Sequence, residues 1–282
     1  MTAAVPARLT ATTSLARRID GTELALVLGM AEAARTGGAA DVQVWSVGGA
    51  AAVWAGPASP FNKIIGLGFG EAIAAEALAP VEEAYAARGA RVQVELSTLA
   101  DPAAGEWLTG RGYRLLGFEN VLARRPGSAG LADPSAAIRV EPCGPGDVDS
   151  WIDTLTTAFL SPDHFDAPAA HESFDRATLE RTYRDFATVP GVVRLLARLD
   201  GHVAGGASLY VREGVALLCG AATLPAHRQR GVQSALLGAR LALARAEGCD
   251  LAVVTTQPGS KSQQNVQRLG FDLLYSRAIL GR

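Results

Sequence analysis

The run Ala221-Ala-Thr-Leu-Pro-Ala-His-Arg-Gln-Arg-Gly-Val-Gln-Ser-Ala-Leu-Leu237 is the most informative segment of this 282-residue chain. It reads as the end of a strand, a short turn carrying Arg228 and Arg230, a glycine, and the start of a helix over 231–247. The apolar positions Val232, Leu236, Ala239 and Leu243 fall on one helical face, and Gly248 stops the helix. Four N–H groups in the first turn of a helix lack intrahelical partners, and the helix dipole places positive potential there. Such a terminus is a ready anion site. Gly231 allows close backbone approach, and the two arginines add charge. Charge-assisted hydrogen bonds contribute about 1.5–3 kcal/mol each and the helix terminus about 0.3–1 kcal/mol. Several together can hold a pyrophosphate at micromolar strength. No carboxylate sits in the turn, so magnesium is not implied. The same turn also reads as a solvated Arg–Gly corner, and the turn alone does not choose between the two.

Working outward, the second half reads as helices 147–160 and 174–186, then strands 192–198, 203–211 and 215–223 as antiparallel neighbours. After the 231–247 helix come a buried strand 251–255, a short helix 260–269 and a last strand 271–280. The first half reads as helix 20–34, strands 42–46, 51–54 and 63–67, and helix 80–87 with Pro80 in its first turn. Strand 92–97, helix 102–111 and strand 113–123 close it. Between the halves lies Arg-Pro-Gly-Ser-Ala-Gly-Leu-Ala-Asp-Pro-Ser-Ala (125–136), dense in turn formers. The expected organisation is a domain 1–125, a linker 126–136 and a domain 137–282. The halves echo each other: aligning Gly112 with Gly270 pairs Leu115 with Leu273, Leu116 with Leu274 and Leu122 with Leu280 without a gap, which points to a duplicated fold.

Composition sets the class. Hydrophobic residues are 49% and charged residues 19%, which describes a folded globular chain. Lys+Arg is 26 against Asp+Glu 28, and the basic residues cluster nowhere beyond the 228–230 turn, so nucleic acid is not an expected partner. Lys63 and Lys261 are the only lysines, and with 31 glycines this reads as the codon bias of a GC-rich, bacterial genome. The uncharged run 42–62 alternates and holds two prolines, so it reads as strands and not as a membrane span. Cys143, Cys219 and Cys249 form no disulfide framework, and the four histidines no zinc motif; a reduced, cytoplasmic protein without a metal is expected.

The order of strand, Arg228-Gln229-Arg230-Gly231-Val232-Gln233, long helix, strand, short helix and Gly270-Phe271 corner resembles the GCN5-related N-acetyltransferase (GNAT) family. The family signature is Q/R-x-x-G-x-G/A; Gln233 stands where Gly or Ala is usual. The resemblance covers 137–280 closely and the first half by architecture. It implies an α/β fold of two tandem acyl-CoA N-acyltransferase (GNAT-like) domains, each a mixed, mostly antiparallel sheet flanked by helices. It also implies acetyl-CoA as co-substrate. Pantetheine would pair with the strand edge at Ala222, Thr223 and Leu224. Pyrophosphate would sit on the amides of Gln229, Arg230, Gly231, Val232, Gln233 and Ser234, beside Arg228 and Arg230. Asn265, with Ser262, would reach the pantetheine amides. The corresponding stretch of the first half, Gly66-Leu-Gly-Phe-Gly-Glu-Ala-Ile-Ala-Ala-Glu76, has no arginine, and Glu71 and Glu76 would repel a pyrophosphate. The first domain is therefore expected to be a degenerate copy.

The resemblance also implies direct attack of an amine, of a small-molecule acceptor, on the thioester, with a backbone N–H near Thr223 or Leu224 polarising the carbonyl. A lysine-like amine is neutral at pH 7 in about 1 part in 10^3.4, a deficit of about 4.6 kcal/mol that a base would offset. The catalytic residues are left unassigned. Cys219 reads foremost as core, and Asp163, His164, His171 and Glu172 share a loop where acceptor pockets form in the family. Tyr275 is a possible thiolate protonator, because the usual tyrosine position, four residues before the glycine, holds Val266. Arg268 and Arg277 read as surface salt bridges, and Trp45, Trp54, Trp107 and Trp151 as packing. A protein amine or a hydroxyl stays open as acceptor, and the alternative function is a non-catalytic CoA-binding or regulatory module.

Overall fold

Short alternating segments punctuated by glycines and separated by amphipathic runs produce a mixed α/β arrangement, seen in a computed structural model that describes residues 8–70, 74–128, 135–161 and 174–282. In chain order the elements are α1 (Thr13–Thr36), β1 (Gln43–Val47), β2 (Ala50–Trp54), β3 (Lys63–Ile65), α2 (Ala75–Ala87), β4 (Gln93–Ser97), α3 (Pro102–Gly110) and β5 (Arg114–Arg124). They continue with β6 (Ile138–Pro142), α4 (Val148–Phe159), α5 (Arg176–Phe186), β7 (Val192–Leu199), β8 (His202–Arg212) and β9 (Val215–Thr223). The last are α6 (Val232–Ala246), β10 (Leu251–Thr256), α7 (Lys261–Arg268) and β11 (Asp272–Gly281).

Three elements depart from the sequence reading. Helix α1 starts seven residues early, because the Thr12 hydroxyl caps it by accepting from the Leu15 N–H at 3.1 Å. Pro80 lies inside α2, not in its first turn; the helix tolerates the missing N–H at the cost of one backbone bond. Strand β6 carried no periodic signal, since Ile138 is its one buried residue.

Contacts divide the chain into two compact units. The N-terminal unit comprises Thr12–Glu119, Pro168–Val192 and Tyr275–Arg282; the C-terminal unit comprises Met1–Ala11, Asn120–Ala167 and Val193–Leu274. Each unit thus draws on both sides of the 126–136 stretch. In the N-terminal unit the strand order is β1-β2-β3-β4-β11. Strands β3 and β4 are parallel, and β11 pairs antiparallel with β4, Arg277 opposite Ser97 and Gly281 opposite Gln93. Its core gathers Val47, Ile64, Leu78, Tyr85, Val94, Leu108 and Leu280. In the C-terminal unit the order is β5-β10-β9-β8-β7-β6. There residues 120–124 of β5 run antiparallel to β10, with Arg124 opposite Ala252. The strand that ends the first half of the sequence therefore serves β10, and the last strand of the chain serves β4.

The internal echo has a geometric counterpart. Gly112 and Gly270 follow α3 and α7 with φ of +92° and +79°. The next N–H groups, of Tyr113 and Phe271, donate to Leu108 O and Val266 O at 3.1 Å each. Gly89 and Gly248 repeat the same left-handed stop after α2 and α6.

Arg277 is not at the surface as its sequence reading had it; its side chain is fully buried. A charged cluster in the N-terminal unit accounts for this. The guanidinium donates to Asp20 Oδ1 at 2.6 Å and to Glu23 Oε2 at 2.5 Å. Glu95 Oε2 lies 3.6 Å away and Glu119 Oε2 4.0 Å away. Lys63 Nζ donates to Glu95 Oε1 at 2.6 Å. Arg277→Met would strand these carboxylates, and loss of one partner of a buried pair costs about 3–5 kcal/mol. The urea midpoint should fall accordingly, with Arg277→Lys in between. Burial and the neighbouring Glu95 push the Glu119 carboxyl up from 4.5 to about 8. A raised carboxyl favours the protonated folded state, so that contribution is complete below 4.5 and is lost as pH rises through about 8. Urea midpoints should fall progressively between about pH 5 and 8 and level off above, and Glu119→Gln should flatten the fall.

Candidate functional site

The C-terminal unit places the 221–237 run at a gap in its sheet. Strands β9 and β10 run parallel, but their ladder joins three pairs only: Val215 with Leu251, Ala216 with Ala252 and Leu217 with Val253. Both strands then continue, β9 to Thr223 and β10 to Thr256, without further pairing to each other. Burial follows the same break: residues 215–218 are buried, whereas Cys219 to Thr223 are partly or fully exposed. Alternate N–H and C=O groups of β9 beyond Leu217 therefore face a gap, which an extended ligand can fill as a strand would. On its other edge β9 stays paired to β8, with a bulge between Gly206 and Ser208, opposite the gap. Trp151 props this bulge, its indole N–H donating to Ala207 O at 3.1 Å.

The turn that follows is bent by two left-handed residues, Gln229 at φ +61° and Gly231 at φ +84°. Gly231 is the N-cap of α6, and no side chain caps that terminus. A Cβ at Gly231 would meet one atom only, Ile138 Cδ1 at 3.5 Å, so the space before the first-turn amides is open. Gln233, the departure from the Gly/Ala pattern, does not cover those amides. Its Oε1 accepts from Asn265 Nδ2 at 2.8 Å, which draws the side chain toward α7. Asn265, read as a contact for the pantetheine amides, uses its amide nitrogen here to hold Gln233 of α6. Arg228 donates to Ser161 O and ties the turn to the end of α4. Arg230 reaches Asp200 Oδ2 at 3.2 Å in an exposed pair, which contributes at most about 1 kcal/mol and exchanges readily.

Unpartnered polar atoms mark the same region. Thr223 Oγ1 at the end of β9, His227 Nδ1 in the turn and Thr256 Oγ1 at the end of β10 are all buried without a hydrogen-bond partner. Buried polar atoms in folded proteins nearly always find partners, so these are suited to a polar ligand. An uncapped helix terminus with open space before it, an unpaired strand edge and orphaned acceptors or donors together fit an extended, anionic group such as acetyl-CoA. Thr223 and His227 carried a signal in the sequence only through their place in the run.

Other candidates resolve differently. The Leu224 N–H is taken by Ala204 O at 2.9 Å, so it does not polarise a carbonyl. Tyr275 belongs to the N-terminal unit, where its hydroxyl donates to Asp20 Oδ1 at 2.7 Å; burial and that carboxylate push its pKa upward, so it is no ready proton donor. Val266 is core. Cys219 is half-buried, with its thiol against Leu217 O at 3.3 Å. Arg268 bonds the side-chain amide oxygens of Asn265 and Gln264 and makes no salt bridge among the described residues. Trp54 and Trp151 are core, while Trp45 and Trp107 are partly buried in the N-terminal unit. Asp163, His164, His171, Glu172 and Glu71 lie outside the described residues.

The first-half glycine loop lacks this openness. A Cβ at Gly68 would meet Ala100 Cβ at 2.7 Å and Asp101 N at 3.2 Å, and the Asp101 N–H donates to Gly68 O at 2.9 Å. The loop is packed against the chain's own α3 start. Among the described residues no helix is long and apolar enough to cross a membrane.

Comparison with known proteins bears on the fold. Residues 153–271 match the model of the acetyltransferase (GNAT) family. A GCN5-related N-acetyltransferase from Kribbella flavida superposes with a TM-score of 0.65 at 18% identity, covering 94% of each chain. A tandem GNAT protein from the clavulanic acid biosynthesis pathway gives 0.58 at 13% identity, over 83% of this chain and 78% of that one. A GCN5-related N-acetyltransferase from Sphaerobacter thermophilus gives 0.51 at 16% identity, over 68% and 59%. No curated protein matches the chain in sequence. At such identities the solved structures establish the fold alone, which is that of the GCN5-related N-acetyltransferases, and the match to the acetyltransferase (GNAT) family model is confined to residues 153–271.

Proposed function

We propose that the chain is an acetyl-CoA-dependent N-acetyltransferase acting on an amine of a small molecule, with the cofactor held by the 137–282 domain and the 1–125 domain a degenerate copy that binds no CoA. The observation that carries this reading is the unpaired edge of β9 beyond Leu217, set beside an uncapped α6 terminus at left-handed Gly231. Pantetheine would lie along Ala222 and Thr223. Pyrophosphate would rest on the amides from Gln229 to Ser234, with Arg230 released from Asp200 to meet it. Bound there, acetyl-CoA supplies the activated acyl carbonyl. The chain's part is to orient that carbonyl on β9 N–H groups beyond Leu217, Leu224 being excluded, and to exclude water along the strand edge. The attacking amine forms the C–N bond as the C–S bond breaks, and its proton passes to the thiolate or to solvent. The crowded Gly68 loop supports the degenerate reading of the first domain.

A non-catalytic CoA-binding module is the second reading. Buried Val266 at the usual tyrosine position, together with the engaged hydroxyl of Tyr275, favours it. One experiment separates the two. Calorimetric titration of acetyl-CoA should show one micromolar site per chain, followed by thiol release when a panel of amines is added. Binding with no release for any amine or polyamine supports the module; no binding overturns both. Gly231→Glu should lose more than 100-fold in affinity, while Gly231→Asn, which accepts φ > 0 without adding charge, should fold and retain most binding. Arg230→Ala should leave the unfolding free energy within about 0.5 kcal/mol of wild type and weaken acetyl-CoA several-fold, since its exposed partner contributes little to stability.

A further inference from the structure

We propose that Arg240 is a positioning residue for acyl transfer: its buried guanidinium, set behind the closed end of the gap between β9 and β10, supplies the positive potential that stabilises the departing CoA thiolate. This rests on the acetyl-CoA reading of the same gap.

The first argument is an uncompensated charge. Arg240 stands in the middle of α6 and is 3% exposed. Its Nε–H donates to Leu236 O at 3.3 Å and an Nη1–H to Ser208 O at 3.4 Å. Among the described residues no carboxylate pairs with it, and the one ionisable group whose charge reaches it is the Cys219 thiol. Burial pushes its pKa down to about 10, so it stays charged at neutral pH. A buried cation with only carbonyl partners is costly, and an apolar side chain of similar size would pack here at lower cost.

The second argument is its place. Helix α6 runs back along β9. Val232 at its start lies against Gly205, which is opposite Thr223, whereas Arg240 meets Ser208, which is opposite Cys219. The Ser208 hydroxyl donates to Cys219 O at 3.0 Å. Cys219 is two residues beyond Leu217, where the pairing of β9 to β10 stops. The gap therefore has an open end beside the anion-suited turn and a closed end beside Arg240. A ligand with its pyrophosphate on that turn and its pantetheine along Ala222 and Thr223 turns its sulfur toward the closed end. The third argument is chemical need. When the amine attacks, the C–N bond forms, the C–S bond breaks, and its electron pair leaves on sulfur. Val266, at the usual tyrosine position, is core and supplies no proton to that thiolate. A fixed cation in a water-poor interior lowers the energy of the thiolate until the amine's proton reaches it or passes to solvent.

The test is calorimetry on the full-length protein with CoA and with acetyl-CoA, which lacks the ionisable thiol, between pH 6.5 and 9. If the bound thiol ionises more readily than the free one, CoA tightens as pH rises. The ratio of CoA to acetyl-CoA affinity should rise at least threefold in wild type. Acetyl-CoA carries the same pyrophosphate, so the ratio cancels titration of His227 at the open end. Arg240→Met and Arg240→Gln, the second keeping a donor for Ser208 O, should each abolish the rise with acetyl-CoA affinity within threefold of wild type. Arg240→Lys should retain part of it, and Cys219→Ala all of it. A merely structural role predicts a lower urea midpoint for Arg240→Met and an unchanged ratio; here the midpoint should not fall. No rise in a wild type that binds acetyl-CoA, a rise that survives in Arg240→Gln, or its loss in Cys219→Ala would overturn the proposal and leave the cofactor reading intact. Failure of wild type to bind either ligand would overturn the cofactor reading and this proposal with it.

Discussion

A buried central strand must satisfy its backbone on both edges, and β10 does so only with help from a distant part of the chain. On one side it has three residues of β9; on the other it has Asn120–Arg124, contributed by the strand that ends the first half of the sequence. Because that flank is fully laddered over 252–256, β10 stays anchored even where it parts from β9. The divergence of the two strands, and hence the open edge of β9, rests on this borrowed strand. A lone polar edge inside a sheet would otherwise be costly.

The loan is returned. Strand β4 is paired by residues 277–281 from the end of the chain, and with them comes Arg277, whose guanidinium lies among the acids of the charged cluster. One exchange thus supports both features of interest, each inside its own unit. In the C-terminal unit it backs an open strand edge, and in the N-terminal unit it delivers a buried cation to four carboxyls. The two units differ in what their matching loops do. Gly231 fronts open space before an uncapped helix, whereas Gly68 is pressed against Ala100 and Asp101. The same left-handed glycine conformation fronts open space in one and close packing in the other.

Much of the site was legible in the linear chain because its determinants are local. Gly231, the helix face of Val232 and Leu236 and the stop at Gly248 follow from short-range backbone and burial rules, and all appear as read. The paired corners at Gly112 and Gly270 were visible for the same reason. What the arginines and Gln233 do was not visible. Arg228 anchors to Ser161, Arg230 meets Asp200 and Gln233 bends toward Asn265, all through neighbours 30 or more residues away.

The sequence by itself determined the elements, the duplicated helix–glycine corners and the anion-suited turn, since these depend on periodicity, glycine conformation and helix termini. Only the tertiary structure decided the partners. The apolar-rich runs of β5 and β11 after their glycine corners say that each is a strand but not which edge it joins, because backbone hydrogen bonds carry no sequence label. It also decided the fate of charge: Arg277, Asp20 and Glu95 look like any surface ions in the chain, and the exchange of strands is what buries them together.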